Sequence, residues 1–67
     1  MIYLNGDHHD EGAGQTVAAI LRLLGLSADA RGVAVAVDGE VVPRADWANV
    51  AIPDGARVEV LTAMQGG

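Results

Sequence analysis

Apolar and polar positions alternate in short runs at both ends of the chain and adopt a helical spacing once, in its first half. Ile2 and Leu4 flank Tyr3 in a short strand. Asn5-Gly6 supplies the two positive-φ positions of a tight hairpin turn, so a second strand is expected from about Asp7 to Glu11. It is polar throughout and reads as a sheet edge. Gly12 and Gly14 loosen the chain before Thr16, whose hydroxyl is suited to cap a helix. Val17, Ile20, Leu21 and Leu24 then fall on one apolar stripe of a helix, and Gly25 stands where a left-handed C-terminal cap belongs.

The second half returns to strands. After a connection over Ser27 to Gly32, Val33, Val35 and Val37 alternate with Ala34 and Ala36, which predicts a strand at least partly buried on both faces. Asp38-Gly39 is a further hairpin signal and leads to a short strand from Glu40 to Val42, stopped by Pro43. Arg44 to Val50 is expected to hold a turn of helix, with Asp46 available as its cap and Trp47 folded onto the core. Pro53-Asp54-Gly55 is a turn. The last strand is predicted over Arg57 to Met64, with Val58, Val60, Thr62 and Met64 facing one way and Leu61 and Ala63 the other. The pattern gives one domain over residues 1–64 and a tail, 65–67. The ββαββ order, a short second helical turn and a final strand make an α+β chain with one main helix packed across one face of a sheet. That order resembles the β-grasp, or ubiquitin-like, fold, which implies a mixed sheet with the first and last strands parallel at its centre.

Composition narrows the function. The core residues on offer are mostly Ala, Val and Leu, with one Trp, one Tyr and no Phe, so there is little volume to wall a deep pocket. The absence of Cys removes a disulfide framework, a thiolate zinc site and a cysteine nucleophile together. Net charge is −5, and the cations are Arg22, Arg31, Arg44 and Arg57, without any Lys. A nucleic acid or an anionic membrane needs a basic stripe, so neither is an expected partner. The longest apolar run, Val17 to Leu24, is interrupted by Arg22 and too short to span a bilayer. The cytoplasm is the expected compartment.

Candidate chemistry is sparse. His8-His9-Asp10-Glu11 has metal-binding residue types, but on a strand neighbouring side chains point to opposite faces and do not converge on one ion, so no metal site is expected. Both histidines lie on the polar second strand, which suggests no Ser–His–Asp arrangement. Gly12 and Gly14 lack the Lys-Ser/Thr of a phosphate loop and read as turn residues. The acidic residues show no pairing for acid–base work.

That leaves Gln65-Gly66-Gly67, set directly after a predicted central strand. Without Cβ atoms, a diglycine end can follow an extended path through a narrow channel on another protein. Its carboxylate is a poor electrophile until adenylated by ATP. A sulfur donor can then displace AMP and leave a nucleophilic thiocarboxylate. This chemistry needs no catalytic side chain on the carrier, so the expectation is a carrier protein rather than an enzyme.

Several segments carry a more specific likeness: Ala13-Gly14-Gln15-Thr16-Val17, Val41-Val42-Pro43-Arg44 followed by Trp47, Asp54-Gly55, and the terminal Gly66-Gly67. In that order, over essentially the full length, they resemble the ThiS family, the sulfur carriers of thiamine biosynthesis. The resemblance implies that Gly67 is adenylated by an E1-like enzyme using ATP and magnesium and is converted to a thiocarboxylate through a sulfur donor such as a cysteine desulfurase. Thiazole synthase would then receive the sulfur. It implies no cofactor bound to this chain. Gly66 and Gln65 would thread the partner's channel, and Leu61, Ala63 and Met64 are the candidate docking residues. Leu61 and Ala63 have the alternative role of filling the second side of a central strand. Arg44 and Trp47 are expected to anchor the return loop, Trp47 by packing and Arg44 by bonding a carbonyl. Other readings of the tail are a sulfur carrier for molybdopterin or sulfur amino-acid synthesis, a ubiquitin-like protein modifier, or a plain binding module.

Overall fold

The computed structural model describes residues 1–26 and 31–62. Five strands form one mixed sheet: β1 (Ile2–Leu4), β2 (Asp7–His9), β3 (Val33–Val37), β4 (Glu40–Val42) and β5 (Arg57–Thr62). Their order is β2-β1-β5-β3-β4, so β5 is central and pairs parallel with β1 and antiparallel with β3. The mixed sheet expected of a β-grasp chain is therefore present. β2 is an edge, as its polarity suggests, but ends at His9, before Asp10 and Glu11. Asn5 and Gly6 at one hairpin, and Asp38 and Gly39 at the other, all have positive φ, which is what two-residue turns between twisted strands require.

One helix, α1 (Val17–Leu23), packs across one face. Thr16 caps it by accepting the Ala19 N–H at 3.1 Å on its hydroxyl. Val17, Ala18, Ile20 and Leu21 are buried, each large side chain contributing about 1.5–3 kcal/mol by leaving water. Leu24 does not complete the stripe. It is the C-cap residue, 42% exposed, because the helix ends one residue earlier. Gly25 turns the chain at φ +78, Gly25 N–H donates to Arg22 O and Leu26 N–H to Leu21 O. That Schellman closure swings Leu26 back against the core in the place predicted for Leu24.

The segment after β4 forms a 3-10 turn over Arg44–Asp46 rather than a longer helix. Asp46 is not its cap. The turn begins at Pro43 with no side-chain cap, and the Asp46 carbonyl instead accepts from Asn49 and Val50. Trp47 is 2% exposed and donates its indole N–H to Val42 O at 2.9 Å, so its polar edge is satisfied inside the core. Arg44 lies over its ring at 5.0 Å, a cation–π contact that explains an arginine beside this tryptophan. Val17 N–H to Val50 O and Ala18 N–H to Trp47 O lace this loop to the start of α1.

β3 is fully buried only at Val35; on its open face Ala36 is half-buried and Ala34 exposed, so the expected partial burial on both faces holds at Ala36 and not at Ala34. The predicted continuation of β5 through Ala63 and Met64, and positions 27–30 of the connection before β3, lie outside the described residues.

Local geometry makes two of these contacts testable. A Cβ on Gly12, at φ +120, would meet Ile2 Cδ1 at 2.6 Å, whereas one on Gly14, at φ +80, meets nothing. Gly12→Ala should therefore cost about 1–3 kcal/mol in urea unfolding, more than Gly14→Ala, and equal midpoints would contradict the packing. Asp54 is held below its usual pKa of 3.8, first by a hydrogen bond from the Met1 ammonium and then by its charge. A carboxyl depressed in the folded state stabilises above its unfolded pKa and loses that contribution as pH falls through the folded value. Asp54→Asn should thus lower the melting temperature at neutral pH and make little difference in strong acid, the parent having lost the same contribution there.

Candidate functional site

The site is built on β5. Alternation sends Val58 and Val60 into the core beneath α1 and turns Arg57, Glu59 and Leu61 onto the opposite, uncovered face. Leu61 is 65% exposed, so it does not fill a second buried layer. Register sets Ala34 beside it on β3, and places Ala36 between Glu59 and Val41, the latter 73% exposed on β4. Leu61, Ala34 and Val41 thus form an apolar patch on the open face, at the side of β5 remote from β1.

The other half of that face is polar and aromatic. Tyr3 stands opposite Arg57 on one side and His8 on the other. The Tyr3 and His8 rings meet edge to face at 5.8 Å. An open groove of about 650 Å³ runs here, lined by Tyr3, Asn5, Gly6, Arg57, Val58 and Glu59. His8 Nδ1 lies 3.6 Å from Asp10 Oδ1, while His9, pairing with Ile2, alternates to the other face. Among the described residues no group of three or more His, Cys, Asp or Glu side chains is placed to hold a metal ion.

Asn5 fixes the base of the exit strand. β1 turns away at Leu4, yet Asn5 prolongs its ladder with a side chain: Oδ1 accepts Val60 N–H at 2.8 Å and Nδ2 donates to Val60 O at 3.2 Å. The Asn5 backbone N–H also donates to Val58 O at 2.9 Å. Both main-chain groups of the residue before Leu61 are therefore held. Thr62, paired with Val33, is the last described residue on the way to the tail. Of the sequence-predicted site residues, Leu61 is on the open face, and Ala63, Met64, Gln65, Gly66 and Gly67 lie outside the described residues. Sequence reasoning misses Ala34, Val41 and the clamping role of Asn5, because cross-strand register is not written in any one strand. Parity along β3 and β4 carries the sole available signal.

Among the described residues no helix is long and apolar enough to cross a membrane. The described residues offer an open sheet face and a central strand clamped at Val60.

Comparison with known proteins gives consistent results. The model of the ThiS family matches residues 1–67. The chain is similar to a crystal structure of a thiamine biosynthesis protein (ThiS) from Geobacter metallireducens, with a TM-score of 0.75 and 34% identity over 98% of this chain and 97% of that one. It is also 38% identical over 66 residues to a thiazole synthase from Paramagnetospirillum magneticum (strain ATCC 700264 / AMB-1). That match spans 98% of this chain and 20% of the thiazole synthase, a much longer protein.

The open-face geometry predicts that Leu61→Ser changes unfolding stability by less than about 0.5 kcal/mol, while Val60→Ser costs several times more. Equal losses in urea titrations would return Leu61 to a structural role.

Proposed function

Because this chain belongs to the ThiS family, we propose that it is a sulfur carrier for thiazole formation in thiamine biosynthesis, acting as a co-substrate of partner enzymes and not as an enzyme. The observation that carries the reading is the whole-length family match, which includes Gly66-Gly67, on a chain whose central strand is clamped at Val60. The likeness to part of a thiazole synthase favours thiazole formation over molybdopterin or sulfur amino-acid synthesis.

The chemistry is confined to Gly67. An E1-like partner with ATP and magnesium lets a carboxylate oxygen attack the α-phosphorus of ATP, releasing pyrophosphate and leaving an acyl adenylate. A persulfide on a donor such as a cysteine desulfurase adds its outer sulfur to the acyl carbon, and AMP departs with the electron pair of the broken C–O bond. A second thiol then attacks the donor's inner sulfur, the S–S bond breaks toward the acyl side, and the donor is left as a disulfide. The thiocarboxylate so formed presents its sulfur to thiazole synthase. Gln65 and Gly66 supply the thin approach that lets the end enter each active site. Leu61 with Ala34 and Val41 is the docking surface, its desolvation giving affinity without any reactive group, and the family resemblance adds Ala63 and Met64 as docking candidates. ATP and magnesium belong to the adenylating partner, and no cofactor is assigned to this chain. The setting is cytoplasmic.

The test is ATP–pyrophosphate exchange by the adenylating enzyme, with the chain ending at Gly67 as substrate. Deleting Gly67, or adding one residue after it, should abolish exchange and leave the melting temperature unchanged. Exchange that survives the extension would overturn the terminal-carboxylate reading.

A further inference from the structure

Asn5 and Gly6 form the two-residue turn between β1 and β2, both at positive φ. Turn geometry accounts for the two residue types by itself. It does not account for where the Asn5 side chain goes. Its amide reaches across to β5, accepting Val60 N–H on Oδ1 at 2.8 Å and donating from Nδ2 to Val60 O at 3.2 Å. Both ends of one amide hold one residue, and the clamp needs one end to be an acceptor and the other a donor.

An asparagine followed by glycine is also a reactive pair. Its side-chain carbonyl carbon is one ring closure from the nitrogen of the next residue, and glycine has no side chain to crowd that nitrogen. Here the Gly6 N–H has no hydrogen-bond partner among the described residues, and both residues are exposed beside the open groove. The other asparagine of the chain is the converse case. Asn49 precedes the β-branched Val50, whose N–H is engaged by Asp46 O at 2.9 Å.

We propose that Asn5 is a site of spontaneous deamidation, gated by the opening of its clamp on Val60, and that the product cannot close the clamp again. Once the amide swings away from Val60, the Gly6 nitrogen loses its proton to solvent base and attacks the Asn5 carbonyl carbon. A C–N bond forms and the Cγ–Nδ2 bond breaks. Nδ2 keeps the electron pair, takes a proton from water and leaves as ammonia. Water then opens the cyclic imide at either carbonyl, giving aspartate or isoaspartate, so the net change is one water gained and one ammonia lost. Aspartate still offers an oxygen to Val60 N–H, but its second oxygen replaces the donor and faces the Val60 carbonyl without a proton. Isoaspartate adds a methylene to the main chain of a turn that sets the Leu4–Asp7 and Tyr3–His8 pairing. Either product releases β5 at Val60.

The experiment keeps the folded chain at mildly alkaline pH for several weeks, beside a sample in urea, and then cleaves both at arginine. Asn5 and Asn49 fall in separate fragments, residues 1–22 and 45–57. The exchange of ammonia for water should appear at Asn5 in the folded sample, more slowly than in urea, while its fragment 45–57 stays unchanged. Asn5→Asp, made directly, gives the second readout. Its Val60 amide should exchange hydrogen roughly tenfold or more faster than the parent's, while the Ile52 N–H, bonded to Gln15 O, keeps its protection. An intact Asn5 in the folded sample, equal conversion at Asn49, or equal rates folded and unfolded would overturn the proposal. So would parent-like protection of Val60 in Asn5→Asp, or an equal loss at Ile52, the mark of general unfolding rather than a released clamp. No partner enzyme takes part, and the carrier function proposed above stands or falls separately.

Discussion

A seven-residue helix can cover one face of a five-stranded sheet, and no second layer is present among the described residues to cover the other. The whole arrangement depends on that asymmetry. Beneath α1 the sheet presents Ile2, Leu4, Val35, Val42, Val58 and Val60, closed in by Trp47 and Ile52. On the bare side the same strands must present something tolerable to water, and they present short apolar groups, two aromatic rings and an Arg–Glu pair of positions. β5 serves both sides at once. It is held by β1, by β3 and by the Asn5 amide, so the tail beyond Thr62 starts from a fixed point.

Such a scaffold is suited to chemistry that lies beyond it. A small core of Val, Leu, Ile and Ala stabilises the sheet but encloses, among the described residues, no site from which water is excluded. On the proposed carrier reading, activation and sulfur transfer would fall to partner enzymes, and the described domain would contribute the open face of the sheet for docking.

Much of this is legible in the sequence, and the exceptions have physical causes. Every strand can be placed because alternation and the Asn5-Gly6 and Asp38-Gly39 turns agree with each other. Periodicity assigns Leu24 to the core since it does not say where a helix stops; the Schellman turn gives that place to Leu26. β3 reads as at least partly buried on both sides, which holds at Ala36 but not at Ala34, because alanine looks alike in a core and on a bare face. Asp46 is a residue type that caps helices, yet the chain enters that turn from Pro43, and only the backbone path reveals it. Parity alone picks out Leu61, whereas its neighbours Ala34 and Val41 need the register between strands. Asn5 is visible as a turn residue, while its bonds to Val60, 55 positions away, are not.

The central claim is that the working group of this chain is the carboxyl of Gly67. The most direct measurement is the intact mass of the protein after incubation with ATP, magnesium, a sulfide source and an adenylating partner. The account predicts a gain equal to exchanging one oxygen for sulfur, located by fragmentation at Gly67. An unchanged mass with a demonstrably active partner, or sulfur found anywhere but on the terminal residue, would contradict it.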